Sequence, residues 1–95
     1  VSGFDDRYQD LRRRFVLRCR DDLRQLQTET DPQKLRPVVH RLSGAAGTFG
    51  YGEISADAGE VDDALIEGLA PPADVLARLI ATLEALTEDA GDAAG

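Results

Sequence analysis

Cysteine occurs once in this 95-residue chain and histidine once, and methionine and tryptophan are absent. Cys19 alone closes no internal disulfide, and one cysteine with one histidine falls short of the four ligands of a structural zinc site. A lone thiol fits a reducing, cytoplasmic setting. No apolar run approaches the roughly 18 residues of a membrane span, and no charged-then-apolar leader pattern opens the chain as given. The opening Val1-Ser2-Gly3 lacks Met, as expected of a processed or cloned terminus or of a cut within a longer protein. The net charge of −7 argues against sequence-independent binding to nucleic acid, which needs a basic footprint. Basic residues are also scarce in the second half. Through Arg41 there are ten basic and seven acidic residues, whereas after Arg41 only Arg78 is basic, against eleven acidic residues. Two readings of this asymmetry are open: differently solvated faces, or a basic rim set to meet an acidic partner.

What is present is helical periodicity. Phe4, Tyr8, Leu11, Phe15, Cys19, Leu23 and Leu26 recur at three- and four-residue steps and draw one apolar stripe, with Arg and Asp on the other sides. Cys19 falls on that stripe and is expected to be a small buried hydrophobe. Thr28 to Asp31 ends the first helix. Asp31-Pro32 starts the second, with Asp as N-cap and Pro in the first turn. Leu35, Val39, Leu42, Ala46 and Phe49 carry its stripe. Pro37 lacks the N–H of an interior helical bond, so a kink or restart is expected there. After Gly50-Tyr51-Gly52, a third helix follows on Ile54, Ala58, Val61 and Leu65. A fourth follows Ala70-Pro71-Pro72 on Val75, Leu76, Leu79, Ile80, Leu83 and Leu86. No β-type alternation competes. Four amphipathic helices joined by short breaks predict an all-α, antiparallel up-down four-helix bundle, a single domain over residues 1–95, with residues 1–3 and 89–95 frayed.

The position of the sole histidine is informative. With Leu35 at zero and about 100° per residue, the apolar stripe falls within about 40° of zero. His40 then lies at about 140°, Gly44 at about 180°, Gly47 at about 120°, Arg36 at about 100° and Ser43 at about 80°. His40 therefore points away from the core, with two glycines on its own face. Each glycine costs the helix about 1 kcal/mol relative to alanine. They either clear the approach of a bulky partner to the imidazole or sit under close helix–helix packing. An exposed, neutral ring nitrogen is a competent nucleophile towards phosphorus. No second His or Cys stands at a metal-ligand spacing. Ser43 has no identifiable third member of a hydrolase triad and no oxyanion hole.

The run His40-Arg41-Leu42-Ser43-Gly44-Ala45-Ala46-Gly47-Thr48-Phe49-Gly50 strongly resembles the motif of the histidine-containing phosphotransfer (HPt) family of bacterial phosphorelays. Asp31 before it, Phe15 and Leu23 in the first helix, and Ile54, Ala58 and Val61-Asp62 after it extend the likeness over roughly Phe15 to Leu65. The resemblance implies that His40 accepts a phosphoryl group from a receiver aspartyl-phosphate and passes it to another receiver aspartate, on the outer ring nitrogen. It implies a phosphoryl carrier rather than an enzyme, with no cofactor of its own and with Mg²⁺ on the receiver. That agrees with the lack of a P-loop or other nucleotide-binding glycine motif. The implied partners are response-regulator receiver domains and a hybrid histidine kinase, and nothing requires more than a monomer. Gly44 and Gly47, flanked by Arg41, become the receiver-docking patch. One departure stands out: Ser43 replaces a lysine that often supports the phosphoryl oxygens. Serine donates one neutral hydrogen bond and neutralises no charge, so Arg36, one turn before His40, becomes the expected phosphate-supporting cation beside Ser43. Two other readings are a phosphoacceptor domain of a chemotaxis-type histidine kinase, fed from ATP on a separate domain, and an HPt-like interaction module that is not phosphorylated.

Overall fold

The computed structural model describes the backbone of residues 2–94 and the side chains of residues 3–88. Four helices follow one another: α1 (Ser2–Thr28), α2 (Pro32–Thr48), α3 (Gly52–Ile66) and α4 (Ala73–Ala94). α1 packs on α2 and α4, and α3 packs on α2 and α4, with no diagonal contact among the described residues. Short connections make each helix antiparallel to the next, giving the expected up-down four-helix bundle.

Local chemistry sets the boundaries. The Asp31 carboxylate accepts the Gln33 N–H at 3.0 Å in extended N-cap geometry, with Pro32 opening α2. α2 and α3 end in the same way. Gly50 (φ 84°) and Gly68 (φ 74°) take the left-handed conformation, and the next residue donates back into the last turn. Tyr51 N–H reaches the Ala46 carbonyl at 2.9 Å and Leu69 N–H reaches that of Ala64 at 2.8 Å. The expected restart at Pro37 does not occur, because α2 runs without interruption from Pro32 to Thr48. Pro37 has no N–H to donate there. The helices also include Ser2, Gly3 and residues 89–94, where fraying was expected; Val1 and Gly95 lie outside the described residues.

The core joins Phe15, Val16, Cys19 and Leu26 of α1 to Val39, Leu42 and Ala46 of α2. Ile54, Ala58, Val61 and Leu65 of α3 and Val75, Leu79 and Leu83 of α4 complete it. Cys19 is fully buried, and desolvation, reinforced by nearby Asp22, pushes its thiol up to about 12. The first helix departs from expectation at its start. Phe4 is 77% exposed and Leu11 also faces solvent. Tyr8 is the lowest α1 ring in an aromatic cluster that closes this end, with its centroid 5.6 Å from Phe49. Phe15 stacks on Phe49 and Tyr51 behind it.

This distribution predicts a sharp contrast. Leu79→Ala, at a fully buried position, should lower the unfolding free energy by about 2–5 kcal/mol in urea titration. Phe4→Ala should change it by no more than about 0.5 kcal/mol.

Candidate functional site

α2 and α3 share the most extensive helix contact, and small residues allow it. Ser43 Oγ donates to the Ser55 carbonyl at 2.9 Å, and Ser55 Oγ donates to the Ser43 carbonyl at 2.8 Å. A Cβ added at Gly47 would lie 3.3 Å from Ser55 Oγ, and one added at Gly59 would lie 3.4 Å from Ser43 Oγ. The antiparallel register thus sets Gly47 against Ser55 and Ser43 against Gly59. One step further along it sets His40 against Asp62.

That last pair is the centre of the site. The His40 side chain is 80% exposed, yet its Nδ1 lies 3.0 Å from Oδ2 of Asp62, whose side chain is 10% exposed. An ionised carboxylate only accepts, so in the neutral ring Nδ1 carries the proton and Nε2 the lone pair. The other Asp62 oxygen, Oδ1, is buried with no hydrogen-bond partner among the described residues. The carboxylate therefore depends on the imidazole for its one protein contact, and each group fixes the other. Chemically, the neutral ring in this arrangement is an oriented nucleophile on an open surface, with an acid behind it that can stabilise a positive ring. No group of His, Cys, Asp and Glu suited to a metal ion exists among the described residues.

The other candidates divide. Arg36 is exposed, one turn before His40 on α2, and the register that pairs His40 with Asp62 sets it opposite Ile66. Gly44 is exposed, and an added Cβ there would meet nothing within 4 Å, so the surface one turn after His40 is bare. Three of the candidates make contacts within the bundle. The Ser43 hydroxyl is committed to α3, donating to the Ser55 carbonyl. Gly47 is not simply a cleared landing surface, because it also permits the close approach of Ser55. Arg41 is not a free docking cation: its guanidinium donates to Oδ1 of buried Asp22 on α1 at 2.8 Å. Burial raises the Asp22 carboxyl, and the hydrogen bond and charge of Arg41 oppose that rise.

Asp62 is the site residue that periodicity alone did not single out. Its signal was present: an acid immediately after Val61, on the border of the α3 apolar stripe. Asp57 is a similar case, buried on the opposite flank of α3 and held by Arg78 of α4 through two hydrogen bonds of 2.9 and 3.0 Å. That pairing raises the Arg78 guanidinium above its ordinary value.

Compared with known families, residues 10–92 match the family model described as the Hpt domain. Neither the curated proteins nor the solved structures yield a match.

The Asp22–Arg41 pair generates a prediction with a definite sign. A carboxyl whose folded-state value is raised favours folding at low pH, and that contribution is lost as pH rises through the folded-state value. Arg41→Ala removes most of what opposes the rise, leaving only the charge of Arg18, and strands an ionised, buried acid. The variant should lose on the order of 2 kcal/mol at neutral pH, discounted from a fully buried pair because Arg41 is partly exposed. Urea titration should show that deficit shrinking in acid as Asp22 protonates.

Proposed function

Because this chain belongs to the Hpt domain family, whose members are phosphocarriers without an ATP site of their own, we propose that it is a phosphorelay intermediate that carries the phosphoryl group on Nε2 of His40. The observation that carries this reading is the hydrogen bond between Nδ1 of His40 and Asp62, which in the neutral ring puts the proton on Nδ1 and the lone pair on Nε2, on a side chain that is 80% exposed. The donor is an aspartyl-phosphate on a receiver domain. The Nε2 lone pair attacks phosphorus in line, the N–P bond forms, and the P–O bond to the receiver aspartate breaks, releasing a carboxylate. No proton has to move. The ring becomes cationic, and Asp62, on the Nδ1–H, stabilises that charge. In the onward step a second receiver's carboxylate attacks phosphorus and the imidazole leaves neutral, its Nδ1–H still held. One carboxylate thus serves both directions.

The transferring group spreads negative charge over its equatorial oxygens. Mg²⁺ on the receiver supplies part of the compensation. Arg36 is the carrier's own cation for this role, since Ser43 is turned into the α2–α3 seam and Arg41 is held by Asp22. The same reading places the protein in the cytoplasm, among receivers and a hybrid histidine kinase. No helix among the described residues is long and apolar enough to cross a membrane.

The test is phosphate incorporation from a receiver charged with acetyl phosphate. His40→Gln should abolish acid-labile labelling while keeping the helical circular-dichroism spectrum. Asp62→Asn should slow labelling by about tenfold, the worth of one hydrogen bond to a charged group at about 1.5 kcal/mol. Arg36→Ala should lower the phosphorylated fraction at equilibrium several-fold, from an exposed contact of about 1 kcal/mol. Persistent labelling of His40→Gln would remove the assignment.

A further inference from the structure

The contact between α1 and α2 is the least extensive of the four in the bundle. A cleft of about 570 Å³ opens between these two helices, a size in the range of small-molecule sites. Leu17, Arg18, Asp21 and Asp22 form its α1 wall, and Val38 and Arg41 line it from α2. Arg41 reaches across to α1, whereas His40 reaches Asp62 of α3. The cleft therefore stands on the flank of α2 turned away from the reactive imidazole, and the phosphoryl chemistry makes no use of it.

Three groups in the cleft lack a counterpart within the chain. The first is a carboxylate oxygen. The Asp22 side chain is 5% exposed, and Arg41 bonds its Oδ1. No hydrogen bond among the described residues reaches its Oδ2, although a shielded carboxylate oxygen without a donor costs free energy. The second is the Arg18 guanidinium, exposed one turn before Asp22. Burial raises the Asp22 carboxyl, and the charge of Arg18 is among the influences that oppose this. The two groups thus feel each other, yet among the described residues no hydrogen bond or ion pair joins them. The third is the side chain of Leu17, 44% exposed in the same cleft as buried Val38.

These groups define the chemistry of an occupant. With Arg18 and Arg41 against Asp21 and Asp22, the ionised lining carries no net charge. A simple cation meets two guanidiniums there, and a simple anion meets two carboxylates. A small zwitterion satisfies both signs. Its ammonium donates to Oδ2 of Asp22, with Asp21 adding attraction. Its carboxylate accepts from the fork of Arg18, one helical turn, about 5.4 Å, away along α1. An aliphatic side chain on the same molecule takes the exposed surface of Leu17 out of water.

We propose that the α1–α2 cleft is a binding site for a free α-amino acid with an aliphatic side chain, held between Asp22 and Arg18. The occupant bridges the gap that the protein leaves between its own acid and base. It binds only the folded chain, because the unfolded one does not bring α1 and α2 together, and so it stabilises the fold. The proposal is independent of the phosphorelay reading, and its test needs no phosphoryl donor.

The test is titration of leucine into ¹⁵N-labelled protein, followed by amide chemical shifts. Saturable shifts are expected at Arg18, Asp22, Val38 and Arg41. Two probes each lack one charge: leucinamide, which imitates a peptide N-terminus, and isocaproate, which has no amine. Each should bind at least tenfold more weakly than leucine. Arg18→Gln, at an exposed position, should lower leucine affinity at least tenfold with an unchanged circular-dichroism spectrum. Asp22→Asn should do the same, and Arg18→Gln decides alone if that variant is poorly folded. Shifts that do not saturate overturn the site. Equal affinity for all three probes also overturns it, by reducing the contact to apolar adhesion. Leucinamide binding as tightly as leucine overturns the zwitterion in favour of a peptide N-terminus. Unchanged leucine affinity in Arg18→Gln removes the carboxylate contact and the proposal with it.

Discussion

The site depends on one hydrogen bond, the 3.0 Å contact between Nδ1 of His40 and the buried carboxylate of Asp62. It crosses between two helices, so it exists only if α2 and α3 lie close and in one register. Closeness comes from Ser43, Gly47, Ser55 and Gly59, which place hydrogens and hydroxyls where larger side chains would force the helices apart. Register comes from the reciprocal serine hydroxyl–carbonyl pair, which tolerates no sliding. The glycines that weaken α2 as an isolated helix thus position its histidine in the folded one.

Asp62 belongs to a wider pattern. Three buried acids, Asp22, Asp57 and Asp62, each meet a more exposed basic partner on a neighbouring helix: Arg41, Arg78 and His40. Arginine stays charged under all ordinary conditions, so the first two pairs act as fixed clamps between α1 and α2 and between α3 and α4. Histidine alone of the three partners has a free nitrogen lone pair once its other nitrogen is bonded. The same construction that ties helices together elsewhere therefore makes a nucleophile at the α2–α3 seam. The Arg41 clamp also removes one cation from the phosphoryl site, which leaves that role to Arg36.

Much of this was legible in the residues. The apolar steps of Ile54, Ala58, Val61 and Leu65 all mark buried positions, and Asp31-Pro32 marks the start of α2 because capping is local chemistry. The outward aspect of His40 follows from its angle to Leu35, Val39 and Leu42. What periodicity cannot supply is the identity of the neighbour. Asp62 borders its stripe as Asp57 does, and only the packing of three helices shows that one faces a histidine and the other an arginine. Gly44 and Gly47 share the His40 face of the helical wheel, yet one is bare and the other lies against Ser55. Phe4 and Leu11 fit their stripe and still face solvent, because periodicity marks a face and not the neighbour that covers it.

The central claim, that Asp62 prepares Nε2 of His40 as the phosphoryl-bearing atom, is tested most directly by ¹⁵N and ³¹P NMR. The histidine-labelled protein would be measured before and after treatment with phosphoramidate. The account predicts the Nδ1–H tautomer in the free protein and, after treatment, phosphorus coupled to Nε2 with the Nδ1 proton retained. Phosphorus on Nδ1, or an Nε2–H tautomer in the free protein at neutral pH, would contradict it.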